Sequence, residues 1–441
     1  PLMSLLQRRL DMHETYAVTL EELEGFYVHL RLRLLSGPVS AHLQSVLHSD
    51  LKMSELAPAT RQASSYILEI SRLEKRCFEA YFELRQPQEA LRTLLETLAD
   101  VFYRTMRPIV LSCDSIDSLR EIADSLQMDV LEPHRQSSKG DLVPVMAVVY
   151  RLHKDVQEKL IYRVEMYIRD SIKGYEVSSS DLNYPSALFS AESSGEDAAV
   201  AGPDAGGFQK GWFPTLTRTL SILAKIYRVL EMSTFQGLAQ EAVDICIATL
   251  KQASEQLAQR RLPWAGKDLE VLKPLVQMMD SQLFLVKHLL LLREQVAAFE
   301  CDLVVSEKFF NFAGVWEALN LKLPNGLLGI LKPTVYHSQV DSKKDIEAEL
   351  KGACESLITN LTAHITQPLG VLNTQIGDFL AVPGVDRSKL REQAFMQPDQ
   401  LRDTIGGFLA NVRGRVPFAA SHIRLYLSGG SGASGIDDGS G

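Results

Sequence analysis

Histidines, cysteines, glycines and clustered carboxylates are the residues of this chain that could carry chemistry, and their spacing matches no familiar catalytic or metal-binding pattern. The ten histidines include no H-E-x-x-H and no pair at i, i+4, so no two imidazoles share a helix turn for a zinc ion. No G-x-x-x-x-G-K-[ST] phosphate loop occurs. Gly430, Gly432 and Gly435 spell a formal G-x-G-x-x-G, but no strand precedes them and no helix or acidic ribose ligand follows. Their setting is the Gly/Ser-rich run Ser428 to Gly441, which reads as a flexible tail. Asp437 and Asp438 lie in the same run, without the aspartate-rich spacing by which all-helical prenyl-chain enzymes hold magnesium. The five cysteines, Cys77, Cys113, Cys246, Cys301 and Cys354, are odd in number, far apart and in no C-x-x-C pair, which fits a reducing cytosol. His288, beside Lys287 on a strongly apolar helix, reads as a hydrogen-bonded packing residue at a polar edge. A triad can be assembled from residues distant in sequence, yet no local signature marks a nucleophile. No catalytic, cofactor-binding or metal-ligating residue is nominated, no cofactor is expected, and no partner-binding residue is assigned.

Charge is informative at two places. Arg151, Lys154, Lys159, Arg163, Arg169 and Lys173 form a basic row, but Asp155, Glu158, Glu165 and Asp170 interleave, as on a solvated helix face. Near the end, Arg413, Arg415, His422 and Arg424 alternate with Val416, Phe418, Ile423, Leu425 and Tyr426. Core packing is the expectation there, with a peripheral membrane or partner contact as the alternative. The formal charge of −9 disfavours generic nucleic-acid binding, which needs a clustered excess of Lys and Arg. At 46% hydrophobic and 23% charged, the 441 residues resemble a soluble globular protein with ample material for a core. The sequon Asn360-Leu361-Thr362 matches N-glycosylation formally and reads as a chance match, with no secretory n-region and h-region in the sequence. The chain begins at Pro1 and reads as a fragment of something longer.

The elements that would position any site are helices. Leu20, Leu23, Phe26/Tyr27, Leu30 and Leu34 recur at helical spacing and Gly37-Pro38 should stop them. Tyr66, Ile70, Leu73, Cys77, Tyr81 and Leu84 form a second stripe, ended by Gln86-Pro87. Leu91, Leu94/Leu95, Leu98 and Val101/Phe102 form a third, and Ile116, Leu119, Ile122 and Leu126 a short fourth. Val145, Val149, Leu152, Val156, Leu160, Val164 and Ile168 mark a longer helix ending at Lys173-Gly174. Leu216, Leu220, Leu223, Tyr227 and Leu230, then Leu238, Ala242 and Ile245, continue the pattern, and Arg261 to Met279 reads as an insertion. Asp280 to Gln295 is an apolar helix too short for a membrane span of about 20 apolar residues and so buried by its neighbours. Ile346, Leu350, Ala353/Cys354, Leu357/Ile358 and Leu361/Ile365 form the last clear stripe, behind the cap-like Asp341-Ser342. The fold class is all-α. The organisation expected is a first helical region over 1–174, a disordered acidic, Ser- and Gly-rich loop over 175–211, and a central bundle over 212–300. A C-terminal helical region with an irregular insertion follows over 301–427, and then the tail over 428–441.

Three ordered blocks resemble a known family, the third subunit of the conserved oligomeric Golgi complex. The first runs from Asp155 to Arg163, through Ile172-Lys173-Gly174-Tyr175, to Asp181-Leu182-Asn183-Tyr184-Pro185. The second is Gly211-Trp212-Phe213-Pro214-Thr215 with Leu223 to Arg228 and Phe235 to Ala242. The third is Gln282 to Gln295, echoed by Asp341-Ser342-Lys343-Lys344-Asp345 and Ala353-Cys354-Glu355. The stretches Arg261 to Met279 and Phe309 to Lys332 depart from the family pattern, and the family's amino-terminal coiled-coil region is not seen. The resemblance implies an elongated rod of stacked antiparallel helical bundles, similar to subunits of multisubunit (CATCHR-type) tethering complexes. It implies a non-enzymatic, peripheral protein on the cytosolic face of Golgi membranes, acting in retrograde intra-Golgi vesicle transport. Implied partners are the other subunits of the complex, SNAREs, small GTPases and coat proteins, with no nucleic acid. Alternatives are a helical-rod subunit of an exocyst-like or Dsl-like complex and, remotely, an all-helical enzyme.

Overall fold

The computed structural model describes residues 9, 14–48, 51–82, 89–136, 142–188, 211–260, 272–306, 342–381 and 387–427, and every regular element among them is helical. The chain divides into two compact units, each discontinuous in sequence.

The first unit comprises Pro1–Ile168 with Ile222–Gln236. Helix α1 spans Glu14–Val46 and runs straight through the expected stop at Gly37-Pro38. Pro38 lacks the N–H that would bond the Leu34 carbonyl, a cost of about 3 kcal/mol inside a helix. Val39 and Leu43, just beyond it, are buried, and each such side chain returns roughly 1.5–3 kcal/mol. The expected stripe on α1 is largely outside: Phe26 is 67% exposed and Leu34 56%, while Leu20, Val28, Val39 and Leu43 close the interior. Helix α2, Leu56–Tyr81, also turns a different face inward. Its buried row is Thr60, Ser64, Ile67, Ser71, Glu74 and Phe78 rather than Tyr66, Ile70, Leu73 and Cys77.

Helix α3, Glu89–Ser112, buries Leu91, Leu94, Leu95, Leu98 and Phe102 as its spacing predicts. Helix α4, Ile116–Ser125, starts at Ser115, whose hydroxyl accepts the Ser118 N–H, and buries Leu119 and Ile122. A π-helical turn, Leu126–Leu131, leads into the short α5, Glu132–Gln136. Helix α6, Val143–Tyr167, packs on α3 and α4 through Val145, Val149, Leu152, Val156, Leu160 and Val164, as expected.

The second unit comprises Arg169–Ser221 and Gly237–Gly441. The unit boundary falls inside α7, Pro214–Ile226, and inside α8, Met232–Gln259. A π-helical turn, Ile168–Lys173, continues α6 to the expected stop at Gly174, where a Cβ would meet the Asp170 carbonyl oxygen at 2.9 Å. Of the expected disordered loop over 175–211, residues 175–188 are ordered turns ending in a short helical turn, with Leu182, Tyr184 and Leu188 buried, and 189–210 lie outside the described residues.

Helix α9, Lys273–Ser306, is longer than expected because Leu275, Val276 and Met279, read as part of an insertion, are buried in its first turns. Residues 261–271 lie outside the described residues. By length and composition, Lys273–Ala297 is apolar enough to cross a membrane, contrary to the short run expected, but 61% of its most apolar window is buried inside the fold. It is the core helix of its unit. Helix α10, Ser342–Ala381, and helix α11, Pro398–Leu427, pack on α9 and on each other. Residues 307–341, with the irregular insertion and Asp341, and the tail 428–441 lie outside the described residues.

Candidate functional site

Parts of the three family-like blocks, Tyr175, Tyr184-Pro185, Gly211 to Phe213 and the apolar run of α9, meet in the second unit. Asp280, Phe284 and His288 follow one another at i, i+4 and i+8, so one face of α9 presents a carboxylate, a phenyl ring and an imidazole in line. His288 is fully buried, not at the polar edge expected for Lys287-His288. The Phe213 N–H donates to His288 Nε2 at 3.1 Å, and His288 Nδ1 donates to the Phe284 carbonyl at 2.7 Å. Those two bonds fix the neutral Nδ1–H tautomer. Burial holds the imidazole pKa down to about 4; the bond to Phe284 opposes this and the Lys287 charge adds to it. The expectation of a hydrogen-bonded packing residue is met, with a deeper location.

Aromatic rings seal this joint. Phe284 meets Tyr184 and Phe213 edge-on, at 4.9 and 5.4 Å between centroids, and Tyr175 meets Phe213 at 6.0 Å. The Tyr184 hydroxyl donates to the Gly211 carbonyl at 2.8 Å. Gly211 itself sits at φ +97°, where a Cβ would lie 3.3 Å from the Ala187 carbonyl oxygen, so the turn before Trp212 requires glycine. The Tyr184–Pro185 peptide is cis. Thus Tyr184-Pro185, Gly211 to Phe213 and the apolar run of α9 are neighbours in space because each supplies a part of one polar and aromatic joint.

Two turns earlier on α9, buried Asp280 holds the end of α11. His422 Nε2 donates to Asp280 Oδ1 at 2.8 Å and the Tyr426 hydroxyl donates to the same oxygen at 2.9 Å. Burial first, then the Asp280 charge and its hydrogen bond, push the Tyr426 hydroxyl far above its ordinary pKa. Sequence reading placed His422 and Tyr426 in an amphipathic segment without assigning a partner. The available signal was a lone aspartate opening an apolar helix, which must find donors if it is buried.

Several other groups singled out in the sequence have partners within the fold. Arg151 lies over the Tyr103 ring at 4.4 Å, and Lys159 and Arg163 pair with Asp114, so part of the basic row is tied to its own unit. Cys246 is fully buried beside Thr215 and Thr219, and burial pushes its thiol up to about 12. Among the described residues no group of three or more His, Cys, Asp and Glu is placed to hold a metal ion. An open hollow of about 480 Å³ between α1 and α2, lined in part by His42, His48 and Glu55, lies in the first unit. Gly430, Gly432, Gly435, Asp437 and Asp438 lie outside the described residues.

The family model for conserved oligomeric Golgi complex subunit 3, C-terminal, matches residues 1–315. Conserved oligomeric Golgi complex subunit 3 of Mus musculus is 28% identical over 97% of this chain and 57% of its own length. That of Homo sapiens is 27% identical over 97% and 56%. That of Dictyostelium discoideum is 33% identical over 77% of this chain and 38% of its own length. The chain spans about half the length of the curated relatives it matches. It belongs to the family of conserved oligomeric Golgi complex subunit 3.

Proposed function

We propose that the chain is part of a non-enzymatic subunit of a Golgi vesicle-tethering complex. It acts in retrograde intra-Golgi transport from the cytosolic face of the membrane, through helical surfaces that bind sibling subunits. The family match over residues 1–315 carries this reading. The packed α9 joint is in keeping with it, since His288 and Asp280 spend their polar atoms on bonds within the fold. SNAREs, small GTPases and coat proteins are the further partners proposed, drawn to the outer faces of helices whose inner faces are closed.

Co-purification tests this proposal. The tagged chain, expressed in cells lacking the endogenous protein, is expected to recover other subunits of the Golgi complex and to restore Golgi glycosylation. Recovery of exocyst subunits alone, with glycosylation unrepaired, would defeat it.

A further inference from the structure

Helix α11 carries an apolar seam that no described element covers. Taking about 100° per residue, Ile405, Leu409, Val412, Val416, Ile423 and Leu427 fall within a sector of about 60°, in steps of three, four and seven. Ile405 is 51% exposed, Leu409 45%, Val416 43% and Leu427 41%, while Val412 and Ile423 are half-buried. The inward face of the same helix is separate: Asn411 and Arg415 bond α10 carbonyls, and His422 and Tyr426 bond Asp280. Beside the seam, on one flank only, Arg402, Arg413 and Arg424 repeat every eleven residues and so form a line along the helix. All three are exposed and make no ion pair among the described residues. The facing helix α10 offers them nothing, since it has no Asp, Glu, Lys or Arg from Ser356 to Gly377.

We infer that this seam is the docking site for one amphipathic helix of another polypeptide in the proposed complex. The docked helix carries an aliphatic seam and a row of carboxylates along one edge. Spacing in threes and fours is what a second helix interlocks with, and a single flanking line of cations sets its orientation and partner choice. A lipid surface is the poorer match. The seam holds no Trp or Tyr, the cations occupy one flank, and Asp399 and Asp403 stand exposed at the start of the helix. The inference rests on the proposed membership of a multisubunit complex and names the face used.

A photo-crosslinking residue replacing Leu409 in the full-length protein, within the assembled complex, tests it. Irradiation is expected to join Leu409's position to another subunit, at a helix with an aliphatic seam edged by Asp or Glu. The double variant Arg402→Glu/Arg413→Glu, with helicity unchanged by circular dichroism, is expected to cut that adduct roughly tenfold. An adduct to a second copy, to another part of the same polypeptide or to lipid would overturn the inference, as would an assembled complex giving no adduct. Failure of the unsubstituted protein to assemble would instead count against the proposed function.

Discussion

At the scale of the residue, His288 matters because both its nitrogens are committed. Nε2 accepts the only N–H that begins the Phe213 to Pro214 turn into α7, and Nδ1 returns its proton to the Phe284 carbonyl. His288→Ala removes that acceptor and opens a cavity next to Phe284, so stability to urea is expected to fall by roughly 2–4 kcal/mol. Tyr184→Phe keeps the ring and removes the hydroxyl that donates to the Gly211 carbonyl and lies 3.4 Å from His288 Nε2, with an expected loss of about 1–2 kcal/mol. A His288→Ala protein as stable as its parent would refute the joint, as would a Tyr184→Phe protein losing more than it. The lone histidine on an apolar run was legible in the sequence as a packing residue. Its partners were not, because Phe213 lies 75 residues away and its contribution is a backbone N–H, which no side-chain pattern reports.

At the scale of the element, four prolines inside helices show how tertiary contacts override local signals. Pro368 in α10 cannot donate to the carbonyl of His364, four residues back. Arg415 of α11 supplies the missing donor, with Nη1 2.6 Å from that oxygen, and Asn411 bonds the next carbonyl, of Ile365, at 3.3 Å. The helix survives its proline because its partner helix completes the hydrogen bonding. Arg415→Met keeps much of the apolar stem and removes the donor, so α10 and α11 are expected to lose about 1–3 kcal/mol together. Hydrogen exchange that leaves the amides around His364 to Gly370 unchanged in Arg415→Met would rule this role out. On α2 the sequence misleads in another way. Thr60, Ser64 and Ser71 bond carbonyls four residues back and so bury without loss, and Glu74 is paired by the forked guanidinium of Arg31. Reading only apolar residues therefore shifts the predicted inward face of α2. On α3, α4 and α6 the inward rows are mainly aliphatic, and spacing located their aliphatic members, though not His153 or Gln157 on α6.

At the scale of the whole molecule, each compact unit buries one neutral imidazole among the described residues, His153 in the first and His288 in the second. Burial, with Lys154 adding to it, holds His153 down to about 4, the same value as His288. An unfolded histidine titrates near 6.5, so between about 6.5 and 4 the unfolded chain binds a proton that the folded chain refuses. Stability is therefore full above pH 6.5 and falls as the pH drops toward 4. By pH 5 each imidazole should remove about 2 kcal/mol. Burial also raises the carboxyls of Glu24, Asp124 and Asp244, and these act with the opposite sign, gaining stability as they protonate. The two imidazoles are separable, because His153 Nδ1 has no hydrogen-bond partner among the described residues whereas His288 uses both nitrogens. His153→Phe should then cost little at pH 7.5 and be more stable than the parent at pH 5, with the first unit's urea midpoint nearly level between those values. A midpoint in His153→Phe that falls with pH as steeply as in the parent would show that this imidazole is not the proton acceptor that destabilises the unit.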